Sequence, residues 1–390
     1  MPQSSRAGRY VEQPGKKYRA FSPAPLPPSP SVEVTARMQK LLSDADRALG
    51  RLDGSIETLP NPDLFVYMYV RKEAVLSSQI EGTQSSLQDV LTAEAKILAA
   101  DRPDDVDEVV NYVAAMNYGL ERLERLPVSV RLIREIHEKL LQGTRGQHLT
   151  PGEVRTSQNW IGPPGSGPAD AVFVPPPPEE VGEHLSELER FLHNPPELPI
   201  LVQIGLAHVQ FETIHPFLDG NGRVGRLLIA FLLCEKDILQ KPVLYLSHYF
   251  KKHRTEYYEQ LQSVRDKGTW EQWLTFFLTG VVEVSRQATQ TSRAINQLRE
   301  SDRNTITEQF GRTAANGHRV LEHLYRHPII SISETKAIVD QGYQAASDLV
   351  ERFVESGILT EITGNARHRK YQYHRYIELF GEDGPEIELT

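Results

Sequence analysis

Cysteine is nearly absent from this chain: Cys234 is the only one among 390 residues. That excludes a disulfide framework and any zinc site built from several thiolates. A lone thiol fits a reducing compartment, so the expected location is the cytoplasm. Long apolar runs are also missing. None reaches the ~20 residues that cross a bilayer, and the N-terminus lacks the apolar core of a secretory signal, so no membrane role is expected. Positive charge is in deficit, with 43 Lys+Arg against 52 Asp+Glu and a net charge of −9. Such a balance argues against bulk coating of nucleic acid while leaving a local basic patch open. No internal repeat is visible. The rest is ordinary for a globular protein, 39% hydrophobic and 24% charged, with length for two or three domains.

Residues 1–30 read as a proline-rich N-terminal arm. The run Pro23-Ala-Pro25-Leu-Pro27-Pro28-Ser-Pro30 can form neither a helix nor an interior strand, because proline fixes its φ and lacks a donor. The arm therefore lies extended on a surface or dangles. Residues 31–105 form a helical region. Its patterns cover Val32–Gly50, then Leu64–Glu81 with Gly82 as the stop, then Ser85 to about Ala99, opened by Thr83, Ser85 or Ser86. Leu59-Pro60-Asn61-Pro62 separates the first two. Residues 106–280 continue as a helical core, with helices over Asp105–Leu123, Val130–Leu141, Glu179–Phe191, Pro199–Glu212, Gly222–Lys236, Tyr249–Val264 and Trp270–Gly280. A β excursion interrupts them: Asn159-Trp160-Ile161 and Ala171–Val174 can pair across the turn-rich Gly162–Pro168. Residues 281–303 make a connecting polar helix. Residues 304–380 show three short helices, His318–His327, Ser333–Asp340 and Gln344–Ser356. Two strands follow, Ile358–Thr363 and Lys370–Tyr376, around Gly364-Asn365. Three helices and a two-stranded wing make a winged-helix domain; residues 381–390 are a tail. The fold class is mainly α, with a β-hairpin in the helical core and a C-terminal α+β domain.

Chemistry concentrates in His215-Pro216-Phe217-Leu218-Asp219-Gly220-Asn221-Gly222-Arg223-Val224-Gly225-Arg226, between two apolar helices. Pro216 disfavours the right-handed α conformation at His215, so the imidazole hangs from the connection. Gly220-Asn221-Gly222 can turn successive N–H groups toward one point, an anion nest. The helix starting there adds its unpaired N–H groups and positive dipole end. Asp219 is a hard oxygen ligand suited to Mg²⁺ that bridges phosphates. Arg223 and Arg226, three apart, share a helix flank and can fork onto phosphate oxygens. Base, metal ligand, nest and arginines together read as nucleotide phosphoryl chemistry. The bland alternative is a loop with a capping aspartate and surface arginines. Cys234 follows the apolar run Leu227–Leu233 and reads as core.

The run from His215 to Arg226 matches the Fic signature H-P-F-x-[DE]-G-N-G-R-x-x-R at every fixed position, and the chain resembles the Fic family. The resemblance implies an all-helical core and transfer of AMP from ATP to a protein hydroxyl, with ATP and Mg²⁺ as cofactors. It implies His215 as general base, Asp219 as the Mg²⁺ ligand and Gly220, Asn221 and Gly222 as the binders of the α- and β-phosphates. Arg226 would meet the γ-phosphate, with Arg223 supporting the phosphates or the loop. Ser77-Ser78-Gln79-Ile80-Glu81-Gly82 matches the family's inhibitory signature [ST]-x-x-x-E-[GN], with Glu81 directed at Arg226. A carboxylate at a helix C-terminus faces the negative end of the dipole and needs a cationic partner, which agrees.

The hairpin 159–174 corresponds to the family's flap, along which a protein target adds as a strand. Tyr249, Tyr257, Arg254 and Tyr258 are placed to help form the nucleotide base and ribose pocket, or are an aromatic core stripe. Transfer of UMP, phosphocholine or phosphate is the rival chemistry within this fold. A winged-helix DNA-binding regulator with a nucleotide-sensing Fic domain is the rival of another class. For the latter, the third helix is poor in positive charge (Asp348, Glu351 and Glu355 against Arg352). The wing 365–376 is basic (Arg367, Arg369, Lys370, Arg375), so weak nucleic-acid contact there competes with protein docking or homodimerisation.

Overall fold

A computed structural model describes residues 4–59, 62–97, 103, 105–163, 165–194 and 197–381. Pro60 and Asn61 of the expected break, Ala99 at the expected end of the third helix, Pro164 of the flap tip and all of the tail beyond Gly381 lie outside the described residues. The fold is mainly helical: α1 (Ala36–Glu57), α2 (Pro62–Ile80), α3 (Leu87–Glu94), α4 (Val106–Leu123), α5 (Val130–Leu141), α6 (Pro178–His193), α7 (Ile200–Ile214), α8 (Asn221–Glu235), α9 (Ser247–Lys252), α10 (Arg254–Lys267), α11 (Trp270–Gln309), α12 (Ala314–Leu324), α13 (Ile332–Val339), α14 (Tyr343–Glu355) and α15 (His374–Glu378). No helix of the described residues is long and apolar enough to cross a membrane. Two compact units interleave along the chain: Met1–Gly50, Glu73–Gln84 and Asp107–Ser285 make one, and Arg51–Lys72, Ser85–Val106 and Arg286–Thr390 the other.

The first unit is built around α7 and α8. Every residue of α7 from Leu201 to Ile214 is buried, as expected of a central helix apolar on all faces. The Trp273 indole N–H of α11 donates to Gly205 O of α7 at 2.8 Å. The sequence suggested two helices meeting at Gly280, but α11 is one 40-residue helix. Gly280 answers a packing need instead: a Cβ there would stand 2.6 Å from Tyr249 Cδ1.

Where an arm was expected, residues 4–23 form an antiparallel sheet of β1 (Ser4–Ser5), β2 (Gly8–Glu12) and β3 (Arg19–Pro23), with Tyr10 opposite Phe21. Its anchor is distant in sequence. Phe21 N–H donates to Val174 O at 2.9 Å, and its ring lies 6.0 Å from that of Phe173. Tyr10 OH donates to Asp266 at 2.8 Å. The prolines act as expected, since β3 ends at Pro23. Among the described residues the flap's two sides share one antiparallel bridge, Ile161 to Phe173, beside the bond from Gln158 Nε2 to Pro175 O at 3.0 Å.

The second unit contains α12, α13, α14 and a sheet of β4 (Ile329–Ser331), β5 (Thr360–Glu361) and β6 (Lys370–Gln372) in the order β4-β6-β5. Ser331 caps α13 in a reciprocal box with Glu334. The strand expected over Lys370–Tyr376 stops at Gln372. Tyr373 N–H donates to Pro328 O at 2.7 Å, its hydroxyl bonds Asp302, and the chain turns into α15. Consequently two of the wing's cations are paired, Lys370 with Glu334 at 3.1 Å and Arg375 with Asp302 at 2.5 Å. Arg367 and Arg369 remain exposed. The start of α2 and α3 belong here too: Ser86, of the three residues offered, caps α3 with Asp89. Arg71 forks onto Glu94 at 2.7 Å through both Nε and Nη2 while stacking on Tyr67.

Candidate active site

The loop from α7 to α8 is set by its own short-range bonds. His215, the C-cap of α7, is left-handed at φ 49° and ψ 60°; Pro216 disfavours the right-handed region, and the turn takes the left-handed one rather than the extended one. Asn221 then closes the loop: its Oδ1 accepts from Phe217 N–H and its Nδ2 donates to Phe217 O, both at 2.8 Å. The side chain of Asn221 is thus spent on loop shape. Gly220 sits at φ 77° immediately before α8, where glycine carries no steric cost. The first N–H groups of α8 have no acceptor within the helix and point their positive end outward.

His215 is pushed down to about 3, first by burial and then by the positive charges of Arg265 and Arg155, with Glu81 acting the other way. It is therefore a neutral imidazole near pH 7. Arg265 is buried, lying over the Phe173 ring at 3.9 Å and donating to Glu212 O at 3.1 Å. His137 stacks on Phe217 at 3.7 Å. Because Gly152 N–H donates to its Nδ1 at 2.8 Å, the proton is on Nε2, which donates to Asp219 O at 3.0 Å.

Asp219 presents a half-exposed carboxylate. Arg223, buried, places Nη2 3.4 Å from Asp219 Oδ2 and Nη1 3.1 Å from Glu108 Oε2 on α4. Of the two roles left open for Arg223, its contacts engage the loop. Among the described residues no group of three or more His, Cys, Asp or Glu could hold a metal. A single carboxylate nevertheless suits Mg²⁺, which keeps waters and takes its other ligands from substrate phosphates. Asp219, with one oxygen bonded to Gly220 N–H and the other turned to Arg223, fits that requirement.

Arg226 reaches back to the end of α2. Its Nε donates to Ser77 Oγ at 2.8 Å and its Nη2 to Ser77 O at 3.0 Å and Glu81 Oε1 at 2.7 Å. Gly82 ends α2 at φ 103°. Loss of hydration would raise the Glu81 carboxyl, but the charge and hydrogen bond of Arg226, with Arg223 and His215, hold it below the usual range. Glu81 also lies directly on the first turn of α8: a Cβ at Gly222 would collide with its Oε1. One turn below Ser77, buried Glu73 accepts from Tyr112 OH at 3.0 Å and from Ser247 Oγ. Burial pushes Glu73 up to about 7; Glu212 is likewise pushed up to about 7 by burial.

The expected base-pocket residues divide. Tyr249 is buried with its ring 4.9 Å from Phe276. Tyr257 is buried against Phe250 and shares a hydrogen bond with His208 Nε2 at 2.9 Å. Both rings pack among aromatic neighbours. Arg254 lies nearer the motif, donating to Ile80 O at 3.0 Å, and Tyr258 is 40% exposed. Cys234, expected in the core, is partly buried on the last turn of α8. On the flap, Trp160, Ile161 and Val172 face outward, Val172 at 65% exposure, and Asn159 Nδ2 donates to Phe217 O at 2.9 Å. Sequence reading missed Glu73, Glu108, His137, Arg155 and Arg265; no local pattern marks them, because their partners are far along the chain.

Residues 39–121 match the Fic/DOC family N-terminal model and residues 127–233 the Fic/DOC family model. The chain thus contains a Fic-family domain, homologous to known Fic adenylyltransferases. It is similar to the Protein adenylyltransferase Fic of Drosophila yakuba, 27% identical over 236 residues, which cover 58% of this chain and 42% of that protein. A probable protein adenylyltransferase of Aquifex aeolicus is 30% identical over 183 residues, 45% of this chain and 51% of that one. The chain therefore spans about half or less of the length of these curated relatives. A Fic family protein from Desulfovibrio desulfuricans G20 shares the fold, with TM-score 0.58 and 19% identity over 88% of this chain and 97% of that one.

Proposed function

We propose that the protein transfers AMP from ATP to a Ser, Thr or Tyr hydroxyl of a protein target, itself included, and releases pyrophosphate. One observation carries the reading. The Glu81 carboxylate rests on the first turn of α8, bonded to Arg226 and within the field of Arg223. An anion is already held where a nucleotide phosphate would go.

In this reading neutral His215 takes the proton from the target hydroxyl as its oxygen attacks the α-phosphorus. The bond to the β-phosphate oxygen breaks, and pyrophosphate leaves with that electron pair. The N–H groups at the start of α8, shaped by Gly220, Asn221 and Gly222, hold the α- and β-phosphates, and Arg226 takes the γ-phosphate. Asp219, steadied by Arg223, would hold Mg²⁺, whose charge offsets that of the phosphates. Ser77 and Glu81 restrain Arg226, which makes the end of α2 an inhibitory helix. The target lies along 159–174, where Val172 and Ile161 offer apolar contact. The α+β region acts as a winged-helix docking or dimerising element rather than a DNA reader, since Lys370 and Arg375 are already paired. The deciding experiment is intact-mass analysis after incubation with ATP and Mg²⁺. A gain of one adenylyl group in the Glu81→Gly variant supports the reading, and no gain in any variant removes it.

A further inference from the structure

We infer that Arg155 is a positioning residue that ties both ends of the flap to the catalytic turn, so that a segment lying on the flap keeps a fixed distance from His215. The inference deepens the proposed function and rests on it for its kinetic consequence.

Arg155 is 2% exposed. Its guanidinium makes all of its hydrogen bonds to main-chain carbonyls. Nε donates to His215 O at 2.9 Å, and Nη2 to Pro176 O at 2.5 Å and Ile214 O at 3.4 Å; Nη1 donates to Ser157 O at 3.2 Å. Its own N–H donates to Pro216 O at 2.9 Å. Ser157 and Pro176 bracket the flap, and Ile214, His215 and Pro216 are the turn that carries the imidazole.

A buried guanidinium without a hydrogen-bonded carboxylate is costly to bury, and burial pushes Arg155 down to about 10. What the site gains in return is geometry. A planar fork with five donors can span carbonyls from two segments, whereas the compact ammonium of lysine cannot. The need is local as well. His215 is a non-glycine residue in the left-handed region, a conformation that costs ~1–2 kcal/mol, and its carbonyl is the one that Nε holds. Among the described residues the flap has a single β-bridge of its own, and the hydrogen bonds that tie it to the turn come from Arg155 and from Asn159 at Phe217 O.

The test uses the full chain in the Glu81→Gly background, with Arg155→Lys and Arg155→Gln added singly. Hydrogen–deuterium exchange should rise together in the flap (157–163 and 171–176) and in the turn 214–217, and stay unchanged elsewhere. The transfer rate at saturating ATP should fall at least about tenfold, since a misplacement of ~1 Å can cost ~10²-fold. The KM for ATP should stay within about twofold, and lysine should fail to rescue. Exchange that rises in one segment alone or in neither overturns the clasp. So does an unchanged rate in either variant of a transferring parent, or global unfolding of both variants, which would make Arg155 a residue of stability only. If the Glu81→Gly parent transfers nothing, the proposed function fails, while the exchange result still decides the clasp.

Discussion

Arg226 on α8 holds Glu81 and Ser77 on α2 with one guanidinium, Nη2 standing 2.7 Å from the Glu81 carboxylate and Nε 2.8 Å from the Ser77 hydroxyl. Side chains 145 and 149 residues away are thereby fixed to one group. Under the proposed function, that pair keeps the guanidinium from forking onto a phosphate and puts a negative charge where the phosphate would lie.

The wild-type protein should therefore transfer slowly, and Glu81→Gly should accelerate it. The gain should fall mainly on the transfer rate and less on ATP affinity, because release of Arg226 realigns phosphates that already bind the nest. The double variant Glu81→Gly/Arg226→Ala should return toward the slow rate. Initial rates over a range of ATP and Mg²⁺ check this; equal rates for wild type and Glu81→Gly would defeat it.

His215→Ala should lower transfer by ~10²–10⁴-fold, the usual worth of a positioned base, while ATP binding measured by calorimetry is kept. The pH profile carries a second expectation. With His215 pushed down to about 3, it stays deprotonated throughout the neutral range, so transfer should show no acid limb near the ordinary histidine value. Glu81 raises that pKa, so Glu81→Gly should move any such limb lower still.

Glu108→Ala leaves buried Arg223 with one carboxylate, Asp219 at 3.4 Å, in place of two. Removing one member of a buried ion pair costs ~3–5 kcal/mol, so the urea midpoint should drop clearly. Arg223 would lose the brace that sets its distance from Asp219, and half-maximal transfer should need more Mg²⁺. A variant as stable as wild type with an unchanged Mg²⁺ requirement would refute the brace.

Glu73 stands at about 7 against an ordinary 4.5. Between those values the folded protein keeps a proton that the unfolded chain has lost. Stability from this group is thus full at low pH and declines as pH rises through the window, by at most ~1.4 kcal/mol per pH unit. Glu73→Gln keeps the neutral form and should flatten that decline. Thermal melts of both proteins from pH 5 to 8 measure the difference, and parallel curves would speak against the shift.

Gly280→Ala should destabilise the fold, although alanine is the better helix former by ~1 kcal/mol. The new Cβ would stand 2.6 Å from Tyr249 Cδ1, and overpacking of this kind costs ~1–3 kcal/mol. A raised denaturation midpoint would show that the ring yields.

These contrasts mark what a linear reading reaches. The turn from His215 to Arg226 is legible because its parts are contiguous and its shape comes from Asn221 bonding Phe217, four residues away. Helices with one apolar face declare themselves by spacing. Gly280 misled because glycine spells both a helix stop and a close approach, and only the Tyr249 ring separates the two. The N-terminal sheet stayed hidden because Phe21 pairs with Val174, and Arg155 because its partners are backbone carbonyls, which no sequence pattern records. Tyr249 and Tyr257 could be read two ways because an aromatic stripe has the same spacing whether it meets a ligand or a core; their rings pack against Phe276 and Phe250.

The missing side chain at Gly222 has an evolutionary corollary. Since a Cβ there would collide with Glu81 Oε1, positions 81 and 222 are not free to drift separately. A descendant that gained even a methyl group at 222 would have to move the seated carboxylate aside, and one that first lost the glutamate would still find Arg226 Nη1 2.9 Å from that Cβ. Restraint on Arg226 can thus loosen through either position, and glycine at 222 is what keeps open the place where the carboxylate sits.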